Sequence, residues 1–142
     1  MSFTGEFHHT VDAKGRLIVP SRIRDELVGD GVVLTIWLED CIAIWSPESW
    51  EELDRSLRAL GRGSKDARRL QRKIAGSAHP DQIDKQGRIT VPPGLRDKAG
   101  IARDVVVVGA LDHAEIWSPD RYEQATELEE GQLEELAEGL DF

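Results

Sequence analysis

One cysteine, one methionine and one tyrosine in 142 residues leave little room for several kinds of protein. Cys41 alone cannot form an internal disulfide, which argues against a disulfide-built extracellular scaffold and leads us to expect a reducing cytoplasm. No apolar run approaches the roughly 20 residues that a membrane helix needs. The opening Met1-Ser2-Phe3-Thr4-Gly5-Glu6 lacks the basic and then apolar stretch of a signal peptide. Catalytic signatures are missing as well: there is no phosphate-cradling glycine loop, no H-E-x-x-H pair and no nucleophile elbow. His8 and His9 are adjacent, so on a strand they point to opposite faces and are poorly placed to share a metal. Cys41 and His113, which occupy corresponding turns of the two halves described below, read as unremarkable loop residues. No enzyme, cofactor or metal site is expected.

What is present is a globular composition, 39% hydrophobic and 32% charged, enough for one compact domain or two very small ones. The net charge of −9 would ordinarily count against a polyanionic partner, but it is unevenly spread. From Glu123 onward there are eight acids and no base, which leaves 19 acids against 18 bases in residues 1–122. Between Arg55 and Lys73 lie eight bases and the single acid Asp66. The acidity is mostly a tail on a nearly neutral body, so DNA is not excluded.

The strongest signal is internal repetition. Asp12-Ala-Lys-Gly15-Arg16-Leu-Ile-Val19-Pro20-Ser-Arg-Ile-Arg24-Asp25 aligns with Asp84-Lys-Gln-Gly87-Arg88-Ile-Thr-Val91-Pro92-Pro-Gly-Leu-Arg96-Asp97, with seven of 14 positions identical. The offset of 72 persists to Ile44-Trp45-Ser46-Pro47 and Ile116-Trp117-Ser118-Pro119 without an insertion. The chain is therefore read as a tandem duplication, 1–75 followed by 76–142. Two copies are too few for a solenoid and suit one body about a pseudo-twofold axis.

Within one unit, Glu6 to Val11 reads as a strand that enters the turn Asp12-Ala13-Lys14-Gly15. Asp at the first turn position bonds onward to the backbone, and Gly at the fourth tolerates positive φ. Leu17-Ile18-Val19 follows as a short strand, making Asp12 to Arg16 a hairpin tip. Arg22 to Val28 reads as a short helix capped by Ser21. The apolar runs Val32 to Trp37 and Val105 to Val108 suit strands buried on both sides. Ser46-Pro47 and Ser118-Pro119 are helix starts, with Ser as cap and Pro in the first turn.

Trp50, Leu53, Leu57 and Leu60 recur at helical spacing, as do Leu133, Leu136 and Leu140 in the tail. Gly61-Arg62-Gly63-Ser64 interrupts the first of these helices. The segment after it carries an apolar stripe (Ala67, Leu70, Ile74) and a basic one (Lys65, Arg68, Arg69, Arg72). That basic stripe is either a partner-facing surface or a mate for the acidic tail. Four tryptophans in a chain of this length point mainly to core packing.

Asp-x-x-x-Arg followed by x-x-x-Pro-x-x-x-Arg, present twice and separated by a basic helical linker, resembles the MraZ family. These are bacterial transcriptional regulators related to the AbrB and SpoVT swapped-hairpin DNA-binding domains. The likeness covers nearly the whole chain: Phe3-x-Gly5, Asp12-x-Lys14-Gly15-Arg16, Pro20, Arg24, Ala67 to Arg72, Asp84-x-x-Gly87-Arg88, Pro92 and Arg96. It implies an α+β protein in which two tandem β-hairpin/helix repeats form a pseudo-twofold β-barrel with flanking helices. It further implies ring-like homo-oligomers in the cytoplasm, associated with the nucleoid. Their partner would be double-stranded DNA, at tandem G-rich direct repeats in the promoter of their own division and cell-wall operon, which they would repress.

Carried over, Lys14, Arg16 and Arg24 match the first motif and Arg88 and Arg96 the second. Lys14 gives way to Gln86 and Arg22 to Gly94, so the second loop is expected to be the less basic one. The chemistry fits in part. An arginine just after a glycine tip projects from a rigid two-stranded ribbon, which fits the major groove, and can pair with guanine O6 and N7. Lys14, Arg22 and Arg24 suit phosphates. Asp12 and Gly15, like Asp84 and Gly87, are cast as turn-builders, with Asp12 holding the turn or orienting Arg16. On residue chemistry alone, Arg16 either reads DNA or only braces its turn. The competing reading of the whole chain is an oligomeric protein-binding scaffold with no specific DNA target.

Overall fold

A computed structural model describes residues 2–27 and 29–141. The first repeat runs β1 (Glu6–Thr10), β2 (Arg16–Ile18), α1 (Ser21–Glu26), β3 (Gly31–Ile36), β4 (Ile42–Trp45) and α2 (Pro47–Ala59). The linker helix α3 (Lys65–Ser77) follows. The second repeat runs β5 (His79–Gln82), β6 (Arg88–Thr90), α4 (Pro93–Ala99), β7 (Asp104–Gly109), β8 (Ala114–Trp117), α5 (Pro119–Thr126) and a short α6 (Gln132–Ala137). The protein is thus mixed α and β, and its elements recur at the repeat offset.

The repeats exchange strands. β1 pairs antiparallel with β7 of the second repeat, β5 pairs with β3 of the first, and β2 pairs with β6. Six strands form one sheet in the order β1-β7-β8-β4-β3-β5, and β2-β6 is a separate two-stranded ribbon. Exchanging the repeats reverses that order onto itself. The pseudo-twofold axis therefore passes through the pairs Leu17–Ile89 in the ribbon and Ala43–Glu115 in the sheet.

Two expectations change here. The Asp12 to Arg16 tip does not join a conventional hairpin: β1 and β2 meet only through the Val11–Leu17 bridge and then part to different partners. The sheet also does not close by strand pairing, since β1 and β5 stand at opposite edges with no ladder between them among the described residues. Instead each edge strand runs through its turn into the ribbon, which straps the two edges.

The core lies between ribbon and sheet. Leu17, Ile23, Leu34, Ile36, Ile42, Ile44, Ile89, Val91 and Ile116 are all fully or almost fully buried there. The uninterrupted apolar strands are covered on both faces. In β7, Val105 and Val107 enter this core, while Val106 joins Cys41 and Trp117 in a smaller cluster on the opposite face.

Helix starts follow side-chain chemistry where a Ser–Pro pair is present. The Ser46 and Ser118 side chains accept hydrogen bonds from the Ser49 and Arg121 amides, with Pro47 and Pro119 in the first turn. At α1 the expected Ser21 cap is replaced by Pro20, and the helix ends at Glu26; Val28, its expected last residue, lies outside the described residues. Trp50, Leu53 and Leu57 pack α2 on the core, whereas Leu60, Leu133, Leu136 and Leu140 stay exposed. Ala67 and Ile74 bury one side of α3, but Leu70 of the same stripe is left outside.

Candidate nucleic-acid interface

The two Asp-x-x-x-Arg turns are built alike from their own side chains. Asp12 Oδ1 accepts the amides of Lys14 (3.0 Å) and Arg16 (2.9 Å), and its carbonyl accepts the Gly15 amide at 2.9 Å. In the second turn Asp84 Oδ1 accepts the amides of Gln86 and Arg88, each at 2.9 Å, and its carbonyl accepts that of Gly87. The second carboxylate oxygen receives the arginine Nε–H, at 2.7 Å from Arg16 to Asp12 and 2.9 Å from Arg88 to Asp84. Both carboxylates are held below the ordinary Asp range, chiefly by the amide of the arginine in the same turn.

This arrangement aims the arginines. A guanidinium bonded through Nε still has its two terminal amino groups, and those of Arg16 and Arg88 donate to nothing among the described residues. Orienting and reading are therefore not alternatives; the brace uses one donor and leaves the outer fork. In the ribbon, Arg16 faces Thr90 and Ile18 faces Arg88. Leu17 and Ile89 point into the core, so Arg16, Ile18, Arg88 and Thr90 share the outward face. The arginines sit on a diagonal, roughly 7–8 Å apart at the backbone. Ile18, which is 53% exposed, lies between them and was not singled out from the sequence.

Each turn is fastened by the other repeat. The Gly15 carbonyl accepts the Val91 amide at 2.7 Å, and the Gly87 carbonyl accepts the Val19 amide at 2.9 Å. Gly15 and Gly87 are buried, with φ of +82° and +80°. Beneath them lie arginines from the opposite repeat: Arg96 against Gly15 and Arg24 against Gly87. Arg96 also donates through Nε to the Val91 carbonyl at 3.0 Å. Both are half-buried, unlike Arg22, which is exposed and lies along Gly5. Lys14 is exposed at its tip.

The expected charge difference narrows at the tips but persists beside them, where Gly94 stands opposite the exposed Arg22. The second turn has Lys85 beside Gln86 where the first has Ala13 beside Lys14, so each carries one exposed lysine.

On the far side of the sheet, Cys41 and His113 are buried rather than loop-exposed. His113 stacks on Trp45 with ring centroids 4.6 Å apart. Its Nδ1 lies 2.5 Å from Asp112 and its Nε2 2.8 Å from Glu115. Burial alone would lower the His113 pKa, but the two carboxylates outweigh it and raise the value. Burial pushes the Cys41 thiol up. Trp45 and Trp117 are buried and Trp37 and Trp50 half-buried, so all four pack inward. No helix of the described residues is long and apolar enough to cross a membrane.

A duplicated unit with exchanged strands, two Asp-x-x-x-Arg turns and one shared outward ribbon defines a two-repeat, strand-exchanged α+β protein. Comparison with known proteins gives the particular family. The family described as "MraZ protein, putative antitoxin-like" matches twice, over residues 2–73 and 74–141. A Transcriptional regulator MraZ of Thermoanaerobacter pseudethanolicus is 42% identical over 137 residues, covering 96% of this chain and 95% of its own. Proteins of the same name from Lachnoclostridium phytofermentans (46% over 121 residues, 85% and 84% covered) and Leuconostoc citreum (40% over 141 residues, 99% and 98% covered) are also similar. The chain belongs to the MraZ family.

Proposed function

We propose that this chain is a DNA-binding transcriptional regulator, and not an enzyme, that lays its β2–β6 ribbon on the edges of base pairs. The observation that carries this reading is the shared fork geometry: Arg16 and Arg88, each tied through Nε to its own aspartate, present uncommitted amino groups from one exposed ribbon face. Two parallel N–H donors match O6 and N7 of guanine in the major groove, and a two-stranded ribbon is narrow enough to enter it. The exposed Lys14, Lys85 and Arg22 flank this face as phosphate contacts. Arg24 and Arg96, for which the resemblance also implied DNA contact, act in this reading from beneath the turns they support.

In the finer form of this proposal the targets are tandem G-rich repeats in the promoter of the protein's own division and cell-wall operon, which it represses as a nucleoid-associated, cytoplasmic ring. Repetition of boxes supports that form physically. One ribbon makes few phosphate contacts and binds weakly, whereas several linked copies on spaced boxes gain affinity through effective concentration.

The test is binding to DNA upstream of the protein's own gene, at two salt concentrations, by wild type, Arg16→Ala and Arg88→Ala. Loss of a bidentate guanine pair costs about 1–3 kcal/mol, or roughly fivefold to 150-fold in affinity. Equal binding by all three would reduce the arginines to turn braces. No salt-sensitive binding by any of them would leave the oligomeric scaffold as the reading.

A further inference from the structure

The pseudo-twofold symmetry breaks at the helices. In the first repeat α2 is followed by the long α3, and the two enclose a groove of about 500 Å³. In the second repeat α5 is followed only by the short α6 and its acidic flanks. The groove has an apolar floor of Trp50, Leu57 and Ala75, and its rim carries Arg58 and Arg62. Arg68 and Arg72 extend the basic wall along α3. Gln71 holds the two helices together, donating to the Leu57 carbonyl at 2.9 Å and the Gly61 carbonyl at 2.8 Å. Arg58 is paired with Asp54, but Arg62, Arg68 and Arg72 enter no ion pair among the described residues.

The tail has the opposite surface. Leu133 and Leu136 lie on one face of α6 and Leu140 just beyond its end, and the three are 61%, 61% and 63% exposed. Glu134, Glu135, Glu138 and Asp141 surround them and likewise enter no ion pair among the described residues. The chain therefore displays a leucine stripe set in acids and a leucine-sized groove set in arginines, each unfilled. They also lie toward opposite halves of the sheet: α2 and α3 pack on β3, and α5, which leads into the tail, packs on β7.

We propose that the α6 tail of one copy docks in the α2–α3 groove of a second copy. Because donor and acceptor are different surfaces, the contact is heterologous, and copies join head to tail. Such contacts build rings when the rotation closes. The proposal rests on the self-association in the functional reading above and supplies its interface.

The test measures the mass of the full-length protein in solution by light scattering. Wild type is expected to be an oligomer. Leu133→Ser with Leu136→Ser, and separately Arg62→Glu with Arg72→Glu, are expected to lower the mass while the circular dichroism spectrum holds, since all four side chains are exposed in the single chain. Adding Glu134→Arg and Glu138→Arg to the groove variant should restore the oligomer. A monomeric wild type, or variants that keep the wild-type mass, would overturn the proposal.

To separate copies, a chain with Leu136→Cys is mixed with a chain carrying Ala75→Cys and oxidised; the native Cys41 is buried. A crosslink between the two chains is expected. A chain bearing both substitutions that crosslinks only within itself, whatever its concentration, would instead place the tail on its own body. DNA binding is read in parallel. Low-mass variants that still bind a single box in an Arg16-dependent way keep the regulator reading intact. Absence of DNA binding by an intact wild-type oligomer would remove that reading and leave the docking in place.

Discussion

Arg24 of the first repeat packs directly beneath Gly87 of the second, so closely that any side chain at Gly87 would collide with its guanidinium. The symmetry-related pair is Arg96 beneath Gly15, where an added Cβ would come within 2.7 Å of the Val91 carbonyl and 3.2 Å of Arg96 Nη2. Neither turn is self-sufficient: its shape comes from its own aspartate, and its floor comes from the other repeat. A change at one turn is thereby felt across the duplication.

The glycines give a direct test. At Gly61 φ is +70° but nothing lies within 4 Å of an added Cβ, so Gly61→Ala carries backbone strain alone, about 1 kcal/mol. Gly15→Ala carries similar strain and must also displace backbone, so a loss of about 2 kcal/mol or more is expected. Chemical denaturation of both variants measures the difference. Equal losses would mean that the close approach at Gly15 relaxes freely.

Arg24 distinguishes a support from a contact. Removing a phosphate contact lowers the salt slope of DNA binding by about one and leaves stability alone. Removing a support does the reverse. Arg24→Ala is expected to destabilise the fold by about 1 kcal/mol, as does loss of a typical partly buried polar packing group, with the slope retained. A reduced slope at unchanged stability would return Arg24 to the phosphates.

Much of this was legible in the sequence. The offset of 72 located every equivalent element, and the Ser–Pro pairs located two helix starts. Alternation and apolar runs identify strands, but they do not say which strand pairs with which. Val11 to Leu17 therefore read as an ordinary hairpin although β1 and β2 belong to different sheets. The aspartate–arginine pairing in each turn was readable from spacing, but the packing of Arg24 and Arg96 under the opposite turns was not, because it depends on strand exchange. Lys85 was readable and was hidden only by matching the repeats position by position.

The tip lysines make a third prediction. Lys14 and Lys85 are both exposed and sit one position apart in otherwise matching turns. As phosphate contacts they should be equivalent: Lys14→Ala and Lys85→Ala should each weaken binding to every DNA sequence alike and lower the salt slope by about one. A variant that changes base preference, or a slope lost at only one tip, would break the symmetry of the two turns on DNA.

His113 carries the last prediction. Both ring nitrogens face carboxylates, and Trp45 stacks on its face, so the cage suits the imidazolium more than the neutral ring. Burial opposes the charge, yet the Glu115 and Asp112 contacts leave the pKa raised from the ordinary 6.5. A group whose pKa rises on folding binds its proton more tightly in the native state. Its stabilisation is complete below the unfolded value and is lost as pH climbs through the folded one. His113→Phe keeps an aromatic ring against Trp45 and removes the titration. The stability advantage of wild type over this variant should therefore be largest in mildly acidic buffer and shrink toward alkaline pH, measured as melting temperatures across that range. Parallel pH profiles would show that folding leaves the His113 pKa where it is in the unfolded chain, and an advantage that grows toward alkaline pH would show that the cage holds a neutral histidine.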